Sequence, residues 1–311
     1  KRPRLQNTTR SPCVNKPEVF QDCKNNLGEG IIWSQDNNSL YWLDIPMPSK
    51  LHKYSFNDNN YEIFDMPEMI TALAERSNDN LLIASHYGIN NFDLKNKNFK
   101  QILKLETEKP FNRCNDGAAD NLGNFWVGTM QNNIADDGSD INITKNSGSL
   151  FSIDKDFNVI CHESEIGISN TFAWSPNNDK FYFSDTLTGI ISVYDYDIKN
   201  KKISNKKDFA KFERGYPDGS TVDSEGFLWN CRWGGSCVVR FNPNGEVDKV
   251  IELPVPNITS CTFGGKDLKT LFITTARMGM TKEEIYNTPH AGSLFALETN
   301  IQGKPDFKFA N

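Results

Sequence analysis

The stretch 114–130, CNDGAADNLGNFWVGTM, decides the fold because its polar turn leads into a short apolar and aromatic run that recurs along the chain. Six such runs follow polar turns: SLYWLD from Ser39, NLLIAS from Asn80, NFWVGT from Asn124, KFYFSD from Lys180, FLWNCR from Phe227 and TLFITT from Thr270. When the runs are aligned, the equivalent residues are Tyr41, Leu82, Trp126, Tyr182, Trp229 and Phe272. Their spacing of 41 to 56 residues is close to the period of about 40 to 50 residues that is typical of propeller blades.

The segments between these runs also favour β-structure. Short stretches rich in Val, Ile, Phe, Tyr and Trp alternate with turn signals such as DNLGN, DSEGF and NPNGEV, as expected for strands and hairpins. Helical periodicity is nearly absent, apart from a short helix predicted after the capping box TKEE at Thr281. We therefore predict an all-β, six-bladed β-propeller over residues 27–311. Residues 1–26 are predicted to be a partly ordered N-terminal extension that helps to close the ring.

Composition narrows the classes of partner and location. The chain has 34 Lys and Arg residues against 40 Asp and Glu residues, and this acidic balance argues against nucleic-acid binding, which usually needs a basic surface. No apolar run reaches the roughly 18 residues of a membrane span, so we expect no membrane partner. A cytoplasmic location is expected, with secretion as the alternative if a signal was removed before Lys1. The oligomeric state stays open.

The cysteines do not suggest a disulfide framework. There are seven of them, an odd number for such a framework, and none forms a Cys-x-x-Cys pair. Cys13 and Cys23 are the one pair considered for a bridge.

A set of polar residues lies at similar distances before the six aligned apolar residues. The positions eleven or twelve residues earlier all carry side-chain oxygens: Glu29, Thr71, Asn115, Asn170, Asp218 and Ser260. Because the first strand of each blade runs beside the central channel, these side chains are predicted to meet at one end of it. Carboxylates, amides and hydroxyls without His or Cys are the ligands that a hard cation such as Ca²⁺ or Mg²⁺ prefers. The alternative is that they are turn residues at strand ends.

Six motifs, in order along the chain, carry a resemblance to a known family. They are LGEGIIW from Leu27, RCNDGAAD from Arg113, GTM from Gly128, SNTFAWS from Ser169, YPDGSTVDSEGFLW from Tyr216 and TSCTFGGKDLKTLFITTARMGM from Thr259. From about Leu27 to the C-terminus, the sequence resembles the senescence marker protein, gluconolactonase and luciferin-regenerating enzyme family, close to its regucalcin-like members. That resemblance implies a six-bladed β-propeller and, for many members, a metal-dependent sugar lactonase activity.

The resemblance also implies which residues form the site. The metal ligands of the family correspond to Glu29, Asn170 and Asp218, and its substrate-contacting residues correspond to Arg113 and Asn115. One divalent ion is implied, Ca²⁺ first, with Zn²⁺, Mg²⁺ and Mn²⁺ as alternatives. A glutamate that touches the sugar in regucalcin-like members corresponds here to Asn133, which can bind a hydroxyl but carries no charge.

The segment that follows Asn133 is predicted to form a loop over the mouth of the channel. This segment, IADDGSDINITKNSG at positions 134–148, explains the long spacing between the third and fourth runs. Asp136 or Asp137 could supply the carboxylate that Asn133 lacks. The acidic composition of the segment favours a solvated loop without a part in the site.

The resemblance implies a hydrolase that opens an aldonolactone, such as gluconolactone, and the predicted oxygen ligands suit a metal-activated water. Asp218 is the predicted general base, and the planar donors of Arg113 are predicted to orient substrate oxygens. Two alternatives stay open at this point. The same scaffold could hydrolyse another ester or a phosphotriester, or the chain could be a non-catalytic, calcium-binding propeller.

Overall fold

The computed structural model describes residues 15–311, and its strands form six four-stranded antiparallel sheets. The first three sheets follow the chain in order. Sheet one contains β2 (Gly28–Ser34), β3 (Ser39–Asp44), β4 (Lys50–Ser55) and β5 (Asn60–Asp65). Sheet two contains β6 (Ile70–Glu75), β7 (Asn80–Ser85), β8 (Gly88–Asp93) and β9 (Asn98–Lys104). Sheet three contains β10 (Asn112–Ala119), β11 (Phe125–Gln131), β12 (Gly148–Ile153) and β13 (Val159–Ile166).

The remaining three sheets repeat this order, and the last one takes a strand from the N-terminal segment. Sheet four contains β14 (Ser169–Trp174), β15 (Lys180–Asp185), β16 (Ile190–Asp197) and β17 (Lys202–Lys211). Sheet five contains β18 (Tyr216–Val222), β19 (Leu228–Trp233), β20 (Cys237–Phe241) and β21 (Val247–Glu252). Sheet six contains β22 (Asn257–Gly264), β23 (Thr270–Ala276), β24 (Leu294–Glu298) and β1 (Glu18–Gln21).

The first strands of the sheets lie around a common axis. β2, β6, β10, β14, β18 and β22 each contact the first strands of the two neighbouring sheets, which closes the ring. The predicted six-bladed β-propeller is therefore confirmed. The six apolar runs of the sequence form the second strand of each blade, and their aligned residues are buried between blades.

The N-terminal segment before Leu27 takes part in closing the ring. β1 pairs antiparallel with β24, with Val19 opposite Phe295, so it forms the outer strand of the sixth blade. The division of the chain at residue 27 stays a prediction. Cys13 lies outside the described residues, so its predicted bridge to Cys23 does too; the Cys23 Sγ lies 3.2 Å from Asn25 Oδ1.

The recurring turn and aromatic run have a shared physical basis in blades three and five. Asp223 accepts hydrogen bonds from the backbone N–H groups of Glu225 and Phe227 and from the indole N–H of Trp229. Asp120 makes the equivalent bonds to the residues two, four and six positions ahead of it, Leu122, Asn124 and Trp126. One buried carboxylate thus folds the turn and orients the tryptophan that packs between blades.

Only short helices interrupt the strands of the described part. The predicted helix after TKEE is confirmed as α1 (Lys282–Asn287), with Thr281 and Glu284 forming both bonds of the capping box. A 3-10 turn, Thr186–Thr188, follows β15. Over residues 15–311, every helix is too short or too polar to cross a bilayer.

The C-terminal segment closes one end of the channel. Residues 302–310 run across the far ends of the inner strands and hydrogen-bond to all six blades, through Trp33, Glu75, Gly123, Trp174, Ser224 and Leu268. Within this segment, the Lys304 ammonium donates to the Trp174 carbonyl oxygen at 2.9 Å, and the Asp306 carboxylate accepts from the Trp33 backbone N–H at 2.8 Å. The polar residues at the start of the inner strands lie at the opposite end, which forms the mouth.

Candidate functional site

The mouth of the channel contains a cavity of about 310 Å³ that is lined by polar and apolar residues. All six of the predicted site residues line it: Glu29, Arg113, Asn115, Asn133, Asn170 and Asp218. The other lining residues are Leu27, Met130, Asp140, Ile168, Thr186, Trp233, Met278 and Gly279. A volume of this size suits a small ligand.

Strand register explains why the polar residues of different blades meet. In the first blade, the aligned apolar residue Tyr41 of the second strand pairs with Ile32 of the inner strand, and Glu29 lies three positions before Ile32. The same relation holds in the other blades for Thr71, Asn115, Asn170, Asp218 and Thr259. A β-bulge interrupts every one of these ladders near this position, and bulges commonly re-aim side chains beside functional sites.

The predicted ring needs one correction, because its sixth member is Thr259 and not Ser260. Phe272 pairs with Thr262, ten residues earlier, whereas Tyr41 of the first blade pairs with Ile32, nine residues earlier. The turn between β22 and β23 is therefore one residue longer, and the equivalent position lies one residue earlier in the sequence than Ser260. Ser260 lines a cavity toward the other end of the channel. The Thr259 hydroxyl donates to the Gly28 carbonyl oxygen.

Thr71 occupies the predicted ring position but its side chain does not line the mouth cavity. It is buried, and its hydroxyl lies 3.5 Å from the Ala84 carbonyl oxygen. Four of the six ring positions therefore contribute side chains to the cavity lining: Glu29, Asn115, Asn170 and Asp218.

The two carboxylates of this group are buried without a basic partner. Glu29 is 8% exposed and Asp218 is 6% exposed, and across residues 15–311 neither forms an ion pair with Lys, Arg or His. Burial, followed by the charges of Asp218 and Asp116, raises the pKa of Glu29 well above its usual range. Burial also raises the pKa of Asp218 to about 8. A cation beside them would oppose both shifts, since positive charge stabilises ionised carboxylates.

The Asn170 amide can be placed in either of two orientations, because exchanging its oxygen and nitrogen leaves its shape unchanged. In one, the amide oxygen lies 3.1 Å from Asp218 Oδ1 and 3.2 Å from the Ser169 carbonyl oxygen, which places three oxygens together. In the other, the nitrogen donates to those two oxygens and the oxygen accepts from the Thr186 hydroxyl at 2.7 Å. The first orientation suits a cation between the oxygens, and the second satisfies hydrogen bonding without one.

This donor set fits a hard divalent cation. Two carboxylates and an amide oxygen are ligands of the kind that Ca²⁺ and Mg²⁺ prefer. In the described part of the chain, no three His, Cys, Asp or Glu side chains are placed so that they could hold a metal ion together. A metal ion held here would therefore need the Asn170 oxygen in addition to Glu29 and Asp218.

Thr171 connects the strands that carry Asn170 and Asp218. Its φ is +61°, a left-handed conformation that is strained for a β-branched residue. The Asp116 carboxylate accepts from its backbone N–H at 3.1 Å, and its hydroxyl donates to the Asp218 carbonyl oxygen at 2.6 Å. Burial raises the pKa of Asp116 to about 7. These bonds fix the position of Asn170 relative to Asp218.

The predicted substrate-binding residues form one hydrogen-bonded chain. The Arg113 guanidinium donates to Asn115 Oδ1 and to Asn133 Oδ1, both at 2.9 Å. Asn115 in turn donates to the Ser169 carbonyl oxygen at 2.8 Å. Burial lowers the pKa of Arg113 to about 10, so the guanidinium keeps its charge at neutral pH. Arg113 thus holds both asparagines at the wall of the cavity.

The segment after Asn133 folds into a hairpin at the mouth. The Ile141 backbone N–H donates to the Asn133 carbonyl oxygen, Ala135 donates to Ser139, and Ile134 pairs with Asp140. We call residues 133–141 the mouth hairpin. Ile134 is 1% exposed and packs into the apolar cluster that contains Leu27, Leu43, Ile45 and Met69, which anchors the hairpin on the first two blades.

The carboxylate that the mouth hairpin contributes is not one of the two that the sequence suggested. Asp140 lines the cavity, whereas Asp136 and Asp137 do not. Asp137 accepts from the backbone and hydroxyl of Ser139 and so shapes the hairpin turn. Asp136 and Asp137 therefore do not supply a carboxylate to the cavity, because pairing across the hairpin brings Asp140 to it instead.

Several lining residues were missed by the sequence reasoning. Thr186 directly follows β15, and Trp233 ends β19, so both lie where second strands reach the mouth. Their positions directly after an aligned apolar run could have predicted that they line the mouth. Met278 lies in the loop after β23, where no repeat marks it.

Known proteins are similar to this chain in sequence and in fold. Residues 27–277 match the family model described as SMP-30/Gluconolactonase/LRE-like region. Regucalcin of Danio rerio is 31% identical over 92% of this chain and 95% of that protein. The 6-deoxy-6-sulfogluconolactonase of Pseudomonas putida is 30% identical over 98% of this chain and 99% of that protein. A crystal structure of regucalcin, a calcium-binding protein from Agrobacterium tumefaciens, superposes with a TM-score of 0.88, at 27% identity and with 96% and 98% of the two chains covered.

Proposed function

The chain belongs to the SMP-30/gluconolactonase/LRE-like family, and we propose that it is a lactonase that hydrolyses a sugar lactone in the mouth cavity. The observation that carries this proposal is the meeting of two unpaired buried carboxylates with the Arg113 hydrogen-bonded chain in one cavity. The lactonase name of a relative that covers nearly the whole chain supports it. The substrate we propose is an aldonolactone such as gluconolactone.

We further propose that the site holds one divalent cation, Ca²⁺ before Zn²⁺, Mg²⁺ or Mn²⁺. Glu29, Asn170 and Asp218 would be its protein ligands, as their oxygen donors suggest. When bound, such an ion polarises a carbonyl group and lowers the pKa of an attacking water.

The side chains of the cavity would carry out the proton transfer and the binding of the substrate. Asp218 accepts a proton from the water whose oxygen attacks the lactone carbonyl carbon. When the ring C–O bond breaks, the proton passes to the departing alkoxide oxygen, and the product is an open hydroxy acid. Arg113 orients substrate oxygens through its planar donors, and Asn115 and Asn133 contact substrate hydroxyls. Apolar lining residues limit the water in the cavity: Leu27, Met130, Ile168, Trp233 and Met278.

A substrate panel tests this function. Purified protein is given aldonolactones, aryl esters and phosphotriesters, with added divalent metal and with chelator, and acid release is followed above the rate in buffer. We expect metal-dependent release from the aldonolactones. Preference for aryl esters or phosphotriesters would favour the alternative hydrolase. Cation binding without turnover of any substrate would favour a non-catalytic, calcium-binding propeller.

The metal ligands can be tested by calorimetry. We expect one divalent site, weakened about tenfold or more in Glu29→Gln and in Asp218→Asn, because affinity at oxygen sites depends on the charge of the ligands. Glu62→Gln is the matched control, since it removes a carboxylate from an exposed position on an outer strand. Unchanged affinity in both site variants would mean that these carboxylates are structural.

A further inference from the structure

The mouth cavity offers few hydrogen-bond acceptors once the proposed roles are assigned. Glu29 and Asp218 would face the cation, and the Asn133 oxygen already accepts from Arg113 at 2.9 Å. The Thr186 hydroxyl is shared between Asn170 and the Pro217 carbonyl oxygen. A polyhydroxylated lactone brings several O–H donors, and a buried donor without an acceptor costs about 1 to 3 kcal/mol.

Asp140 is the remaining carboxylate that lines this cavity. Across residues 15–311 its side chain forms no ion pair and no hydrogen bond with another side chain, in contrast to Asp137 of the same hairpin. Both of its oxygens are therefore available to a ligand.

The backbone of the mouth hairpin places Asp140 firmly. Its strand partner Ile134 is buried in the apolar cluster of the first two blades, and the bonds from Ile141 to Asn133 and from Ala135 to Ser139 hold the two arms together. Asp140 is therefore held beside Asn133, the residue whose side chain bonds to Arg113. An acceptor held in place by its backbone loses little freedom when it binds.

We propose that Asp140 is a specificity-determining residue that accepts hydrogen bonds from ring hydroxyls of a polyhydroxylated lactone. This inference rests on the proposed function and names the substrate class of that site: lactones with hydroxyl groups on the side that faces the mouth hairpin. Asn133 supplies an uncharged amide at the wall, and the neighbouring carboxylate comes from the opposite arm of the same hairpin.

The test compares two lactones and two aspartates. Gluconolactone carries ring hydroxyls, and the unsubstituted six-membered lactone carries none. In Asp140→Asn the amide oxygen can still accept a hydrogen bond but the charge is lost, so KM for gluconolactone should rise by about fivefold to tenfold, the difference between hydrogen bonds to charged and to neutral groups, while the unsubstituted lactone keeps its KM. Asp136→Asn is the matched control, because Asp136 is, like Asp140, an exposed aspartate of the same hairpin but does not line the cavity; it should change neither value.

A binding measurement separates this inference from the proposed function. The probe is a six-membered cyclic ether that carries the same hydroxyls as gluconolactone but has no carbonyl group to hydrolyse. Calorimetry should show weaker binding to Asp140→Asn than to the wild type or Asp136→Asn, whether or not the protein turns over lactones. Equal binding to all three proteins, or an equal KM change for both lactones, would overturn the role of Asp140 and leave lactone hydrolysis standing.

Discussion

Replacing Asp218 with alanine is expected to lower lactone hydrolysis by about 10² to 10⁴, the usual contribution of a positioned proton acceptor, and saturating metal should not restore it. The reason is that Asp218 would serve both as a ligand and as the group that takes the proton from water. It is buried at the mouth, and its main-chain oxygen is held by Thr171. The measurement is kcat and KM at increasing concentrations of divalent metal.

Two comparison variants separate the roles of ligand and base. Glu29→Gln removes a ligand charge only, so added metal should recover much of its activity, whereas Asp218→Asn should stay inactive. Asn115→Ala should raise KM and leave the metal bound, because Asn115 bonds to Arg113, to Ser169 and to the Asn170 amide oxygen but is not itself a proposed ligand. Full activity of Asp218→Ala would contradict the mechanism.

Replacing Asp223 with alanine is expected to reduce the free energy of unfolding by about 3 to 5 kcal/mol, as is typical when one partner of a buried ion pair is removed. Asp223 is fully buried and bonds to the guanidinium of Arg240 at 2.8 Å, whose side chain is 5% exposed. The same carboxylate accepts from two backbone N–H groups and from the Trp229 indole. The change would leave all of these donors without that partner.

Urea unfolding, followed by tryptophan fluorescence and by circular dichroism, measures this loss. The matched control is Asp65→Ala, which removes an exposed aspartate that pairs with Lys50 and is 83% exposed. Exposed ion pairs contribute about 0 to 1 kcal/mol, so the control should lower the free energy of unfolding by no more than about 1 kcal/mol. Equal losses in the two variants would show that the buried pair stabilises the fifth blade no more than a surface pair does.

The blade count could be predicted because its causes are local. Each second strand is buried between blades, so it must be apolar, and in blades three and five Asp120 and Asp223 bond to the backbone of the turn just ahead. These demands fall on residues close together in sequence, and the spacing of the runs therefore predicted six blades. The pattern also predicted that Glu29, Asn115, Asn170 and Asp218 meet at the mouth, since all four hold one position in the inner strands.

Constant sequence offsets failed where turn lengths differ. Ser260 was predicted for the ring, but the longer turn after β22 makes Thr259 the equivalent residue. The number of residues between two positions gives only the length of chain that joins them, whereas the place of a residue in a sheet depends on the hydrogen-bonded register of its strand. Thr71 has the predicted strand register, but its hydroxyl lies against the Ala84 carbonyl oxygen and does not line the cavity. Register alone therefore does not decide where a side chain points.

The sequence by itself determined the all-β architecture, the number of blades and the four polar side chains of the mouth, because local burial and turn chemistry impose a repeating pattern. Only the tertiary structure decided that Asp140, and not Asp136 or Asp137, lines the cavity, that Thr186 completes the polar wall, and that the C-terminal segment closes the far end. These features depend on contacts between residues far apart in the chain, such as Ile134 with the first two blades. No local pattern encodes such contacts, because they form only when the ring has closed.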